Sequence, residues 1–151
     1  MIALLQRVSS ASVDIAGQRV AEIGTGLMVL IGVEKADTRV QADRLLQRLL
    51  NYRVFVDTEG KMNLSLRDIN AGLLLVPQFT LVADTSKGNR PGFSHAADPA
   101  QGHELFTYLV AKARDCHSSV QCGRFGADMQ VGLINEGPVT FQLRVTADKE
   151  L

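Results

Sequence analysis

"LLLVPQFTLVADTSKGNRPGFS", Leu73 to Ser94, opens as a strand rich in leucine and valine and then sets Pro77, Gln78 and Thr80 into the apolar run. A buried strand loses a ladder hydrogen bond at a proline and must find partners for an amide and a hydroxyl, so the interruption marks a sheet edge or a site. Beyond it, a polar loop containing Gly88, Pro91, Gly92 and Pro99 runs without a regular pattern. Loops that long in compact domains are often functional.

Strands dominate the residues upstream. Ile2 to Val8, then Ala11 to Ile15 and Arg19 to Ile23 joined across Ala16-Gly17, read as strands, and "GLMVLIGV" from Gly26 to Val33 reads as one continuous buried strand. A helix follows in "ADTRVQADRLLQRLLNY", where Ala42, Leu45, Leu46 and Leu49 recur at helical spacing and Asp37 or Thr38 serves as the cap. "RVFVD" is a further strand, ended by the turn residues Thr58, Glu59 and Gly60.

Downstream of the opening stretch, Asp98, Pro99 and Gln101 match a helix start: a capping side chain, a proline at the first helical position and a capping-box glutamine. That helix is predicted to run to about Asp115, with Leu105, Leu109, Ala113 and Phe106 on its core face. The segment "ADMQVGLINEGPVTFQLRV" predicts two strands joined at Asn135-Glu136-Gly137, with Met129, Val131 and Leu133 on one face. The whole predicts a mixed α/β fold in a single domain spanning 1–151: a curved, mainly antiparallel sheet or partial β-barrel with two helices packed outside.

Composition narrows the setting. Hydrophobic residues make up 46% and charged ones 21%, as in ordinary globular proteins, and no apolar run approaches the roughly 20 residues a membrane span needs. "MIALLQRVSSASV" alternates as a strand does and is not expected to be a secretory signal, so a cytoplasmic location is the expectation. Sixteen basic residues balance sixteen acidic ones, leaving no broad positive field for a long stretch of phosphate backbone. A nucleic-acid partner would be gripped over a small part of its length.

Three familiar chemistries fit poorly. "GFSHA", Gly92 to Ala96, falls one residue short of the G-x-S-x-G nucleophile elbow, and Ser94 sits in a loop instead of a strand-to-helix turn. Cys116, His117 and Cys122 have no established zinc spacing, so no metal is expected, and the cysteines read as buried or idle thiols. The "GTG" of Gly24 to Gly26 precedes a strand, whereas a phosphate-binding loop opens a helix. No cofactor is implied.

Two stretches remain. "PQFTL" ends an apolar strand where the backbone N–H groups of Phe79 and Thr80 could be left free to face a ligand, although a polar strand end with a core phenylalanine is the plainer reading. "NEGPVT" places Gly137 and Pro138 at a turn, where one residue reaches dihedrals closed to others and the next donates no N–H.

On these residues the chain resembles the D-aminoacyl-tRNA deacylases, enzymes that hydrolyse the ester joining a D-amino acid to the 3′ end of a tRNA. The resemblance runs through "MIALLQRVSSASV", "GLMVLIGVEK", "YRVFVDTEGKMNLSL", "PQFTLVADTSKGNRPGF" and "GRFGADMQVGLINEGPVTF". The family signatures are a Ser-Gln-Phe-Thr segment, matched by Pro77 to Thr80, and a Gly-Pro segment, matched by Gly137-Pro138.

The resemblance implies a homodimer in which a cis Gly-Pro segment of each copy reaches into its partner's pocket. Gln78, Phe79 and Thr80 would be the catalytic segment, with two backbone amides receiving the developing oxyanion. Gly137 and Pro138 would exclude L-aminoacyl groups through main-chain atoms, and Arg7 would support that segment. Phe79, Phe125 and Met129 would contact the terminal adenine, and Lys87 and Arg90 the nearby phosphates. The implied substrate is the 3′ end of D-aminoacyl-tRNA, with glycyl-tRNA mischarged on tRNA-Ala a further one, and the 2′-OH of the terminal ribose would assist attack by water. Pro77 departs from the family serine and has neither hydroxyl nor N–H, which rules out a nucleophile or amide donor there. A module that holds a nucleic-acid 3′ end without hydrolysis is the alternative.

Overall fold

The computed structural model describes residues 1–147. In chain order the elements are β1 (Ile2–Ile15), β2 (Gln18–Ile23), β3 (Gly26–Gly32), α1 (Arg39–Asn51), β4 (Phe55–Val56), β5 (Met62–Leu64), α2 (Leu66–Ile69), β6 (Gly72–Pro77), a 3-10 turn (Phe79–Val82), α3 (Pro99–Cys116), β7 (Val120–Cys122) and β8 (Gln130–Arg144). Six strands form one sheet in the order β2-β1-β3-β6-β7, with β8 also paired to β1, and β4 pairs with β5 in a separate ribbon.

The length of β1 shapes the sheet. Its first half pairs antiparallel with β3, from Ile2↔Gly32 to Val8↔Gly26, and its second half with β2, from Ala11↔Ile23 to Ile15↔Gln18. β8 runs antiparallel along its other edge from Ile2↔Arg144 to Asp14↔Gln130. One strand serving three partners bends the sheet round into a curved, nearly closed surface.

β6 lies between β3 and β7, parallel to both, and is buried on both faces. Leu73 and Leu75 enter the main core with Leu27, Val29 and Ile31 of β3, Leu45 and Leu49 of α1, and Leu105 and Leu109 of α3. Leu74 and Val76 point the other way, into a second cluster with Met28, Val8, Val13 and Ile23. Strand periodicity accounts for this division, because successive side chains face opposite sides.

Both long helices begin where their caps predict. Thr38 accepts the Val40 N–H at 3.2 Å and its own N–H donates to Gln41 Oε1 at 2.8 Å, so of the two candidate caps it is Thr38 that caps α1. Asp98 Oδ1 accepts the Gln101 N–H at 2.8 Å at the start of α3, whose buried face includes Leu105, Phe106, Leu109 and Ala113 as expected.

Four local expectations are corrected. Ile2–Ile15 is one continuous strand. The "RVFVD" strand shortens to Phe55–Val56, and the unexpected helix α2 follows its ribbon, capped by Ser65 and Asp68, so the helices number three among the described residues. No hairpin forms at Asn135-Glu136-Gly137: both flanks belong to β8 and both pair with β1. Of the two cysteines, expected to be buried or idle, Cys116 is exposed and Cys122 half-buried, so neither is fully buried.

Candidate active site

Pro77 can give no N–H to the sheet, and at this residue the chain leaves β6. Gln78 makes the last tie back to the ladder, its N–H donating to the Ile31 carbonyl at 2.7 Å. With φ −143° and ψ 84°, Gln78 then turns the chain into the 3-10 turn. The turn's own bonds begin with Leu81 N–H to the Gln78 carbonyl and include Ala83 N–H to the Thr80 carbonyl. The first two N–H groups of such a turn have no carbonyl before them to reach. Those N–H groups belong to Phe79 and Thr80, and they donate to nothing among the described residues.

This turn stands at the rim of a cavity of about 480 Å³. Pro77, Gln78 and Phe79 form one wall, Phe125 and Met129 another, and the start of α3 at Asp98, Pro99 and Gly102 a third, with Ile31, Val33 and Phe106 also lining it. Most of the lining is apolar. Among the described residues that line it, Asp98 alone is titratable, and its carboxylate is already engaged in capping α3. Phe79 is 62% exposed, and the centroid of its ring lies 5.2 Å from that of Phe93. The plainer reading of a core phenylalanine is therefore wrong.

Thr80 has no base beside its hydroxyl. Gln78 Nε2 donates to Thr80 Oγ1, so the hydroxyl is held as an acceptor by a neighbour that takes no proton. Met129 Sδ accepts the Arg124 N–H at 3.4 Å, closing the Gly123–Met129 segment against the cavity. A side chain at Gly123 would meet that sulfur at 2.8 Å and Pro77 Cδ at 3.5 Å, so the glycine lets Pro77 and Met129 approach one another.

Arg7, Gly137 and Pro138 form a second constellation, away from this cavity. β1 and β8 fall out of register between Gln6↔Thr140 and Val8↔Asn135, and the surplus β8 residues loop out over Arg7. Asn135 clasps the base of the loop: its Oδ1 accepts the Val139 N–H at 2.7 Å and its Nδ2 donates to the Val139 carbonyl at 3.2 Å and to Thr140 Oγ1 at 3.0 Å. Arg7 Nε donates to the Glu136 carbonyl at 2.9 Å and Nη1 to the Val54 carbonyl at 2.7 Å.

The Gly137–Pro138 peptide is cis, and Gly137 has φ +148°. A Cβ on Gly137 would lie 2.7 Å from Val139 Cγ2 and 2.8 Å from the Val139 nitrogen, so only glycine fits. Both loop residues are exposed. The structure thus brings Gln78, Phe79, Phe125 and Met129 together with Thr80 adjoining, and groups Arg7 with Gly137 and Pro138 elsewhere on the same protomer.

Sequence reasoning missed Asn135, whose role appears only once β1 and β8 are paired, and the contribution of α3 to the cavity. Asp98 and Pro99 were legible as a helix start, but nothing local said what that start faces. Ser94 lies exposed in a loop, and among the described residues no cluster of three or more histidine, cysteine or acidic side chains is placed to hold a metal ion.

Relatives carry the same architecture. A family model described as D-Tyr-tRNA(Tyr) deacylase matches residues 4–144. A Pseudomonas fluorescens protein named D-aminoacyl-tRNA deacylase is 62% identical over 95% of this chain and 99% of its own length. One of the same name from Stutzerimonas stutzeri is 61% identical over 95% and 99%. Among solved structures, the c-Myc DNA Unwinding Element Binding Protein superposes with a TM-score of 0.93 at 37% identity, covering 97% of this chain and all of that one. A probable eukaryotic D-amino acid tRNA deacylase superposes with a TM-score of 0.78 at 21% identity over 94% and 98%, a likeness of fold.

The family model and the named relatives define the class, a hydrolase of aminoacyl-tRNA esters. The chain belongs to the D-Tyr-tRNA(Tyr) deacylase family. By that membership it is an enzyme, a D-aminoacyl-tRNA deacylase.

Proposed function

We propose that the chain removes D-amino acids from the 3′ end of tRNA by placing the ester carbonyl against the Phe79 and Thr80 amides, which stabilise the oxyanion as it forms. The observation carrying this reading is the pair of N–H groups without acceptors at the rim of an apolar cavity. Such donors are worth about 3 kcal/mol each in the transition state, because they are fixed in place before charge develops.

Among the described residues no lining side chain is free to act as base. The attacking water is instead assisted by the 2′-OH of the terminal ribose, and the leaving group is the 3′ oxygen of the same sugar. The adenine lies among Phe79, Phe125 and Met129, and Lys87 and Arg90 meet adjacent phosphates. Zero net charge suits an enzyme that holds only the end of its tRNA.

Stereochemical selection comes from the loop of a second copy. Gly137 and Pro138 are exposed, do not line their own cavity and are braced by Asn135 and Arg7, as a wall reaching into a homodimeric partner must be. Main-chain atoms held this way cannot swing aside, so an L side chain meets backbone while a D side chain projects to solvent. Glycine has no side chain to reject, so glycyl-tRNA mischarged on tRNA-Ala is also a substrate. The cytoplasm, where charged tRNA resides, is the site of action.

Matched D- and L-tyrosyl-tRNA test the reading. Release of tyrosine from the D form alone supports it, and release from both at similar rates overturns it. Since a solved relative is titled as a DNA-element binding protein, a second reading is a 3′-end binding module without hydrolysis. Binding of both charged tRNAs with release of neither would favour that one.

A further inference from the structure

Phe125 is carried by the irregular segment between β7 and β8, yet its ring is fixed on two sides. Beneath it lies the backbone of α3 at Gly102, where an added methyl carbon would come within 3.2 Å of Phe125 Cζ. Across its face lies the imidazole of His103, with ring centroids 5.1 Å apart and planes inclined by only 12°. His103 is exposed and makes no hydrogen bond or ion pair among the described residues, so stacking is its one specific contact.

We infer that His103 is a positioning residue for nucleotide recognition: it stacks on Phe125 and fixes the plane on which the terminal base of the tRNA lies. The inference rests on the reading above that this cavity receives the 3′-terminal adenosine. A phenylalanine on an irregular segment would otherwise rotate about two side-chain torsions and lose that freedom only when substrate arrives. Stacking by His103 removes it beforehand, which strengthens binding without touching the ester. An imidazole suits the position, because it offers a flat ring to Phe125 while keeping polar nitrogens toward water on an exposed helix face.

The test is single-turnover hydrolysis of D-tyrosyl-tRNA over a range of protein concentrations, which separates half-saturation from limiting rate. His103→Ala is expected to raise the half-saturating concentration about threefold to tenfold, the size of one lost aromatic pair, and to keep the limiting rate within about twofold. His103→Phe is expected to restore wild-type half-saturation, because it returns the ring without the titratable nitrogen. Unchanged half-saturation in His103→Ala, or a fall confined to the limiting rate, overturns the inference. So does failure of His103→Phe where His103→Lys succeeds, since that outcome assigns a charge contact with phosphate. Phe125→Ala separates the layers. If it weakens half-saturation while His103→Ala does not, only the role of His103 fails; if it has no effect, the placement of the adenosine fails and this inference with it.

Discussion

In the proposed reaction Phe79 contributes through an atom that no ordinary substitution removes, its backbone N–H. Proline removes it. Gln78, at φ −143° and ψ 84°, lies outside the helical region that a following proline disfavours, and Phe79 begins the 3-10 turn, where a proline is tolerated. Phe79→Pro is therefore expected to fold and to lose about a hundredfold to a thousandfold in single-turnover rate, the scale of one oxyanion donor. Phe79→Ala keeps the N–H and should lose far less rate, which separates the amide from the ring. Thr80→Ala is expected to retain most single-turnover activity, and a loss of about a thousandfold would instead make Thr80 a covalent nucleophile. Two of the cavity's three walls lie in "PQFTL" and "GRFGADM", the first legible because a proline and polar groups ending an apolar strand have few structural explanations, the second through the family resemblance. That the first amides of a 3-10 turn stay free could be suspected but not read, since sequence shows no carbonyls.

Elements are held by constraints that can be tested without a substrate. A Cβ on Gly26 would lie 1.9 Å from the Gly72 carbonyl oxygen, so the parallel pairing of β3 with β6 depends on a bare α-carbon at its first rung. Gly26→Ala is expected to cost on the order of 3 kcal/mol or more, read as a lowered denaturation midpoint or loss of folded protein on expression. Helix α2 carries a pH-dependent contribution. The Ser65 backbone N–H donates to Asp68 Oδ2 at 2.8 Å and, with the Ser65 hydroxyl, holds the Asp68 carboxyl below its usual range. A carboxylate held low adds stability above its unfolded pKa and loses it as pH falls through the folded one. Asp68→Asn should therefore be less stable than wild type at neutral pH and converge with it in acid, as followed by thermal melts across pH.

The two long helices were legible because cap and apolar stripe agree on each. β8 was misread for an equally physical reason. Asn-Glu-Gly-Pro has the composition of a hairpin turn, and only the pairing of both flanks with β1 shows it to be an outward loop clasped by Asn135.

For the molecule as a whole, one protomer has a turn with free amides at the rim of a cavity and, away from it, a braced loop that does not line that cavity. On the proposed reading neither feature is complete alone; the family resemblance implied as much, but the residues by themselves did not, because the separation of Gly137 from Phe79 in space follows from how β8 lies along β1. The division of labour is open to a direct test. A Cβ at Gly137 forces the loop to shift inside the pocket it walls, which obstructs the D-aminoacyl group as well, and Phe79→Pro removes a donor from the turn, so each homodimer, Gly137→Ala or Phe79→Pro, should be inactive on D-tyrosyl-tRNA. In a heterodimer purified through two different tags, a composite site places both faults in one cavity and leaves the other whole. The decisive measurement is the D-tyrosyl-tRNA hydrolysis rate of that heterodimer: about half the wild-type rate, with L-tyrosyl-tRNA untouched, is predicted. A heterodimer as inactive as its parents, or a wild-type protein that hydrolyses D-tyrosyl-tRNA as a monomer, would contradict the account.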